Sequence, residues 1–273
     1  KEIFAHHSFC VADDGTIFVP SLDIVDAPVM IGNTDAKIVS ESGKVYKDCI
    51  RMLDPDGNEL GRIPILDALF NSGFNGHLIR ENASVVSTED PTHLNDVQLI
   101  GDAADQLDGI NAGDLLVSLR NINLIGVLDP KTQRFKWLSS GASVGQHSPR
   151  PYKQGFVLLD NLGGDQELGG TQVVYIDYAT GMPTTLLPRP GVEMPDSCRT
   201  INSGHVDIPW GSKHALVTVT HEGAIWEVDL ETGEVEWEYI YAEPGTGGER
   251  RMILCAKYVD DVSFLGVETD GDA

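Results

Sequence analysis

The sequence is short of positive charge. Its 273 residues hold 19 Lys and Arg against 42 Asp and Glu, a net charge of −23. A surface so acidic repels phosphate backbones, which excludes nucleic acid as a partner. An anionic substrate would need a local positive pocket, and that singles out any Arg or His placed near a site. Cysteine is scarce as well. Cys10, Cys49, Cys198 and Cys255 are far apart and form no C-x-x-C pair, so they suit neither a zinc site nor a disulfide scaffold. Isolated buried thiols are expected, with room for one long-range disulfide. No apolar run approaches the ~18 residues of a membrane span. Nor does the chain open on Met or a signal sequence: it starts Lys1-Glu2-Ile3-Phe4, and a removed targeting segment or missing upstream sequence is expected.

Long amphipathic helices are also lacking. Short apolar runs recur instead, among them Leu115-Leu116-Val117, Leu124-Ile125, Phe156-Val157-Leu158-Leu159 and Val173-Val174, punctuated by turn residues and 29 glycines. These are strand signals. One segment departs from them. Ile63 to Phe70, with Pro64 as a helix starter, predicts a short helix within an insertion near 63–73 that runs on to about Ser87.

The strands repeat as a module. Leu53-Asp54-Pro55-Asp56-Gly57, Leu128-Asp129-Pro130, Ile176-Asp177-Tyr178 and Val228-Asp229-Leu230 each place an Asp at a hairpin turn. The Asp positions are 75, 48 and 52 residues apart. The last two spacings match the ~40–50 residues of a four-stranded propeller blade, and the first is longer by about the helical insertion. An all-β chain, a β-propeller in a single domain over 1–273, is predicted. Four blades and a terminal fragment, Met252 to Ala256, are countable. The fragment must join N-terminal strands in a fifth blade, or upstream sequence completes the ring.

His7, His93, His147 and His205 each stand just before a blade's first apolar strand, so all four point at one axis. Arg120 ends a strand at the same end. Four imidazoles suit a metal, but no H-x-H or H-E-x-x-H spacing is present, and a fixed cation such as Arg120 favours an oxyanion over a metal ion. No metal and no cofactor are expected.

Several of these segments resemble the arylsulfotransferase family. They are His93-Leu94-Asn95-Asp96, Gly113 to Asn121, Ile125-Gly126-Val127-Leu128-Asp129, Gln146-His147, Leu159-Asp160-Asn161 and Ile225-Trp226-Glu227-Val228-Asp229. The likeness covers nearly the whole chain. It implies a six-bladed propeller, a periplasmic or secreted setting, and transfer of a sulfuryl group from an aryl sulfate to a phenol without a nucleotide cofactor. The resemblance places the nucleophile at His147 and further catalytic groups at His93, Arg120 and His7, with His6 as an alternative to His7. Asn95, Asn121 and His205 are assigned to substrate binding, with Asn95 orienting His93. The sequence departs from the family where a Ser-Arg pair is usual, at Gly170-Thr171, and carries no cysteine pair before His147. The chemistry suits these residue types. Sulfuryl transfer, like phosphoryl transfer, spreads negative charge over equatorial oxygens that cationic donors stabilise, and a neutral imidazole is a competent nucleophile. The alternative is a non-catalytic propeller of the same family, serving as a binding or surface-assembly module.

Overall fold

The computed structural model describes residues 4–32, 36–195, 197–242 and 247–259, with the backbone alone for 82–86. It is built from antiparallel sheets, each ordered from an inner to an outer strand. Blade 1 sets Phe4–Ala5 and Cys10–Val11 end to end along Ile17–Asp26, followed by Lys44–Leu53 and Glu59–Pro64. Blade 2 runs Leu94–Leu99, Leu115–Leu119, Leu124–Asp129, Arg134–Ser140. In blade 3 the strands are His147–Tyr152, Gly155–Asp160, Gln172–Asp177 and Pro183–Leu187. Blade 4 has His205–Asp207, His214–Val219, Ala224–Asp229 and Val235–Ile240. The inner strand of blade 3 packs between those of blades 2 and 4, as in a β-propeller. All four repeated Asp turns join the third strand of a blade to its outer strand, where the carboxylate accepts backbone N–H groups: Asp129 from Lys131 and Asp229 from Glu231.

Alternation within each strand builds the core. Leu115, Val117 and Leu119 pack toward blade 1, while Leu116, Ile125 and Val127 pack on Phe156, Leu158 and Val174 of blade 3. The other face of blade 3, with Val157, Leu159 and Val173, meets Val217 and the fully buried Trp226 of blade 4. The second and third strands of blades 2 and 3 are covered on both faces. They therefore read as continuous apolar runs and were legible in the sequence.

Three expectations are corrected. The insertion holds two helices rather than one, Ile65–Asn71 and Gly76–Val86. The second was hidden because Asn75-Gly76 reads as a turn, whereas the Asn75 side chain caps the helix by accepting the His77 N–H. The terminal fragment joins no N-terminal strand, since Phe4–Ala5 and Cys10–Val11 already occupy the edge beside Ile17–Asp26. Residues 247–259 instead lie as a strap on the outward face of blade 4, where Ala256 N–H donates to Thr218 Oγ1 and Tyr258 N–H to Asp207 Oδ2. Finally, His147 does not merely precede the Gly155 run. It opens an inner strand of its own, which the prolines in Pro149-Arg150-Pro151 concealed. An inner strand is a sheet edge, where a residue without an N–H is tolerated. All four cysteines are free thiols, so the long-range disulfide is not formed.

Candidate active site

Every inner strand is irregular at the same end, and the histidines sit at the irregularities. Residues 6–9 leave the ladder in blade 1, with His7 at φ 61°. In blade 2, His93 has φ 51° and the register slips between Leu94 and Asp96. Blade 3 slips between His147 and Arg150, with Ser148 at φ 55°. Ser203, at φ 63°, precedes His205 in blade 4. Left-handed backbone is uncommon for such residues. Here it turns side chains from successive blades toward one end of the molecule.

His7, His93 and His147 come together. The Nε2 atoms of His7 and His93 are 3.2 Å apart, and the His7 and His147 ring centroids are 6.3 Å apart. His6 joins them, 5.0 Å from His7 between centroids, with its Nε2 3.6 Å from a buried Asp48 oxygen. His93 is oriented by Asp90, whose carboxylate meets Nδ1 at 2.5 Å. Asn95 does not orient it. The Asn95 amide donates to Gln146 O, and its Oδ1 is buried with no partner.

The hydrogen-bond network settles the tautomer of His147. Asn161 spends its amide N–H groups on Thr200 O and Ser203 O, so its Oδ1 faces Nδ1 of His147, 2.7 Å away, and must accept. His147 therefore carries its hydrogen on Nδ1 and a lone pair on Nε2. Burial pulls its pKa down to about 4. Arg120 and His93 push the same way, against the bond to Asn161. Gln146, beside it, donates to Ser118 Oγ and to the Leu119 and Leu124 carbonyls, which fastens blade 3 to blade 2. His7 is partly open to solvent, but its crowded surroundings and the neighbouring His93, His6 and His147 hold it at about 3.

Arg120 approaches from blade 2, where a Cβ added at Gly145 would lie 3.9 Å from its Nη2. Asn121 serves Arg120 rather than the cavity: its Oδ1 accepts from Arg120, and its amide donates to Asp90 O. His205 is also fully engaged. Arg150 can only donate, so His205 Nε2 accepts from it, and Nδ1–H then donates to Ser148 Oγ. Burial, then Arg150, lowers its pKa to about 3, and it lines the cavity as a neutral wall rather than a base. Sequence reasoning missed Arg150, Asp96 and Asp90. Arg150 and Asp96 form a buried ion pair of 2.6 Å, and although burial alone would raise Asp96, that contact and Ser8 hold its carboxyl below the ordinary range. The one available signal was an Arg enclosed by two prolines just after Gln146-His147.

His7, Asn95, His147 and His205 line a cavity of about 470 Å³, a size suited to a small organic ligand. Its lining does not include His93 or Arg120, which stand next to His7 and His147. A metal-type cluster lies elsewhere among the described residues, at His214, Asp229 and Glu236. Lys213 already occupies Asp229 at 2.5 Å, and Asp229 caps its turn, so that group does not fit a cation.

Solved structures similar over much of the chain include the Dos1 propeller, at 12% identity and a TM-score of 0.48 over 89% of this chain and 49% of that one. Virginiamycin B lyase from Staphylococcus aureus gives 11% and 0.42 over 89% and 57%. Myxococcus xanthus glutaminyl cyclase gives 10% and 0.41 over 90% and 87%. The chain thus spans about half the length of the first two. No curated protein is a significant match. The family model of arylsulfotransferase (ASST) matches residues 1–242, and the chain belongs to the arylsulfotransferase family.

Proposed function

We propose that this protein transfers a sulfuryl group from an aryl sulfate to a phenol through a sulfo-His147 intermediate. The observation that carries the reading is the locked, uncharged imidazole of His147, which keeps its lone pair on Nε2 and lines a cavity shared with His7, His205 and Lys257. In the first half-reaction Nε2 forms a bond to sulfur, the sulfur–aryl oxygen bond breaks, and the phenolate departs with the electron pair to be protonated by solvent. Arg120 and His93 stabilise the charge spread over the sulfuryl oxygens. In the second, a phenol oxygen attacks sulfur and the N–S bond breaks, returning its electron pair to His147. The phenol proton leaves to solvent past His7, which lines the cavity and, held uncharged, accepts a hydrogen bond from the attacking hydroxyl. Asn161 keeps the Nδ1 hydrogen of the adduct bonded throughout. The family's usual setting supports a place outside the cytoplasm.

Rapid-quench assay of an activated aryl sulfate should show a burst of one phenol per protein and acid-labile sulfate on His147. His147→Asn should abolish both. Full turnover by that variant would overturn the mechanism, and no turnover by the wild-type protein on any aryl sulfate would favour a binding module.

A further inference from the structure

The cavity is not uniform. Asn95, 4% exposed, lines it with its amide donating to Gln146 O, one residue before His147, and its Oδ1 has no partner. A buried acceptor left unmet is costly and calls for a donor hydrogen. Sulfuryl oxygens cannot supply one, whereas a phenol O–H can. Farther out, the walls are apolar and open: Phe9 is 61% exposed and Leu254 is 66% exposed, and both line the cavity. They come from opposite ends of the chain, Phe9 from the break in the first inner strand and Leu254 from the strap on blade 4.

Lys257 is the third feature. It lines the same cavity and is exposed, with no ion pair among the described residues of a chain whose net charge is −23. Its charge is felt at His205 and at Cys10, on two different inner strands. The backbone on either side of it is anchored to blade 4 through Ala256 N–H and Tyr258 N–H, and Tyr258 O–H donates to Glu227. The attachment fixes where Lys257 starts and leaves its ammonium without a fixed use. Arg150, the other cation close by, is already neutralised by Asp96.

We infer that the cavity selects a hydroxyaryl acceptor carrying an anionic group, such as a carboxylate, on the ring away from its hydroxyl. The O–H goes to the Asn95 and His147 end, the ring lies between Phe9 and Leu254, and the anion meets Lys257. The assignment rests on the sulfotransferase reading for the word acceptor, but recognition itself requires no turnover.

The test is calorimetric binding of 4-hydroxybenzoate and its neutral counterpart 4-hydroxybenzamide to the wild-type protein, Lys257→Met and Lys257→Arg. A charge-assisted contact predicts a preference for the carboxylate of about tenfold in the wild type. The preference should fall to about one in Lys257→Met and return in Lys257→Arg. Equal binding of the two by the wild type, or a preference that survives in Lys257→Met, would overturn the inference. If the preference holds while no aryl sulfate is turned over, the transfer chemistry fails and this binding assignment stands.

Discussion

His147 and His205 are 6% and 7% exposed and stay uncharged where a free histidine would not. Their pKa values fall from 6.5 to about 4 and about 3. For the proposed mechanism, the consequence is that His147 keeps its lone pair in acid. The rate constant for sulfation of the protein, measured as burst kcat/KM, should hold through pH 6.5 and fall only as the pH drops through about 4. A fall centred near 6.5 would mean that His147 is solvated. The consequence for stability has a fixed sign. Below 6.5 the unfolded chain protonates both imidazoles and the folded chain does not. Stability should therefore decline as pH falls from 6.5 toward 4, by up to about 1.4 kcal/mol per pH unit for each histidine. Urea midpoints across that window should show the decline, and His147→Asn should make it shallower, leaving the share that belongs to His205. Histidines at strand starts were visible in the sequence because a polar residue before an apolar run marks a position. Asn161 and Arg150 gave no such sign, since their roles depend on partners 14 and 55 residues away.

Among the elements, the inner strands are the least regular and carry the most. Leu94–Leu99, His147–Tyr152 and His205–Asp207 each give one member to a buried chain, Asp96, Arg150 and His205. Such a pair holds the strands in place because neither charge can be left alone. Arg150→Met strands Asp96, and Asp96→Asn strands Arg150, so each should cost about 3–5 kcal/mol. The double variant should be less destabilised than the sum of the two, a non-additivity that chemical denaturation of all four proteins would read. Additive losses would show that the pair is not coupled. Middle strands were legible because burial on both faces makes them uniformly apolar, as in Gly155–Asp160. The inner strand His147–Tyr152 was not, because Ser148, Pro149 and Arg150 are buried by pairing and position rather than by hydrophobicity.

At the scale of the whole molecule, the repeated Asp turn revealed the architecture because one hairpin, at one place in each blade, recurs with its capping carboxylate. The site followed only from stacking those blades, which sets residues 86 apart in sequence, His7 and His93, within 3.2 Å. The remaining global property is charge. With 42 acidic residues against 19 basic ones, the protein as a whole repels an aryl sulfate, while Arg120 and Lys257 attract it only at short range. The screening length is about 30 Å at 0.01 M salt and about 8 Å at 0.15 M. Raising salt over that interval therefore removes the long-range repulsion and leaves the contacts inside the cavity largely intact. Burst kcat/KM for an anionic aryl sulfate should rise on the order of two- to tenfold across the interval. Consumption of the adduct by a neutral phenol should stay flat. A fall for the anionic donor would mean that the cations around the cavity outweigh the net charge even at a distance, and stopped-flow measurements at matched pH distinguish the two outcomes.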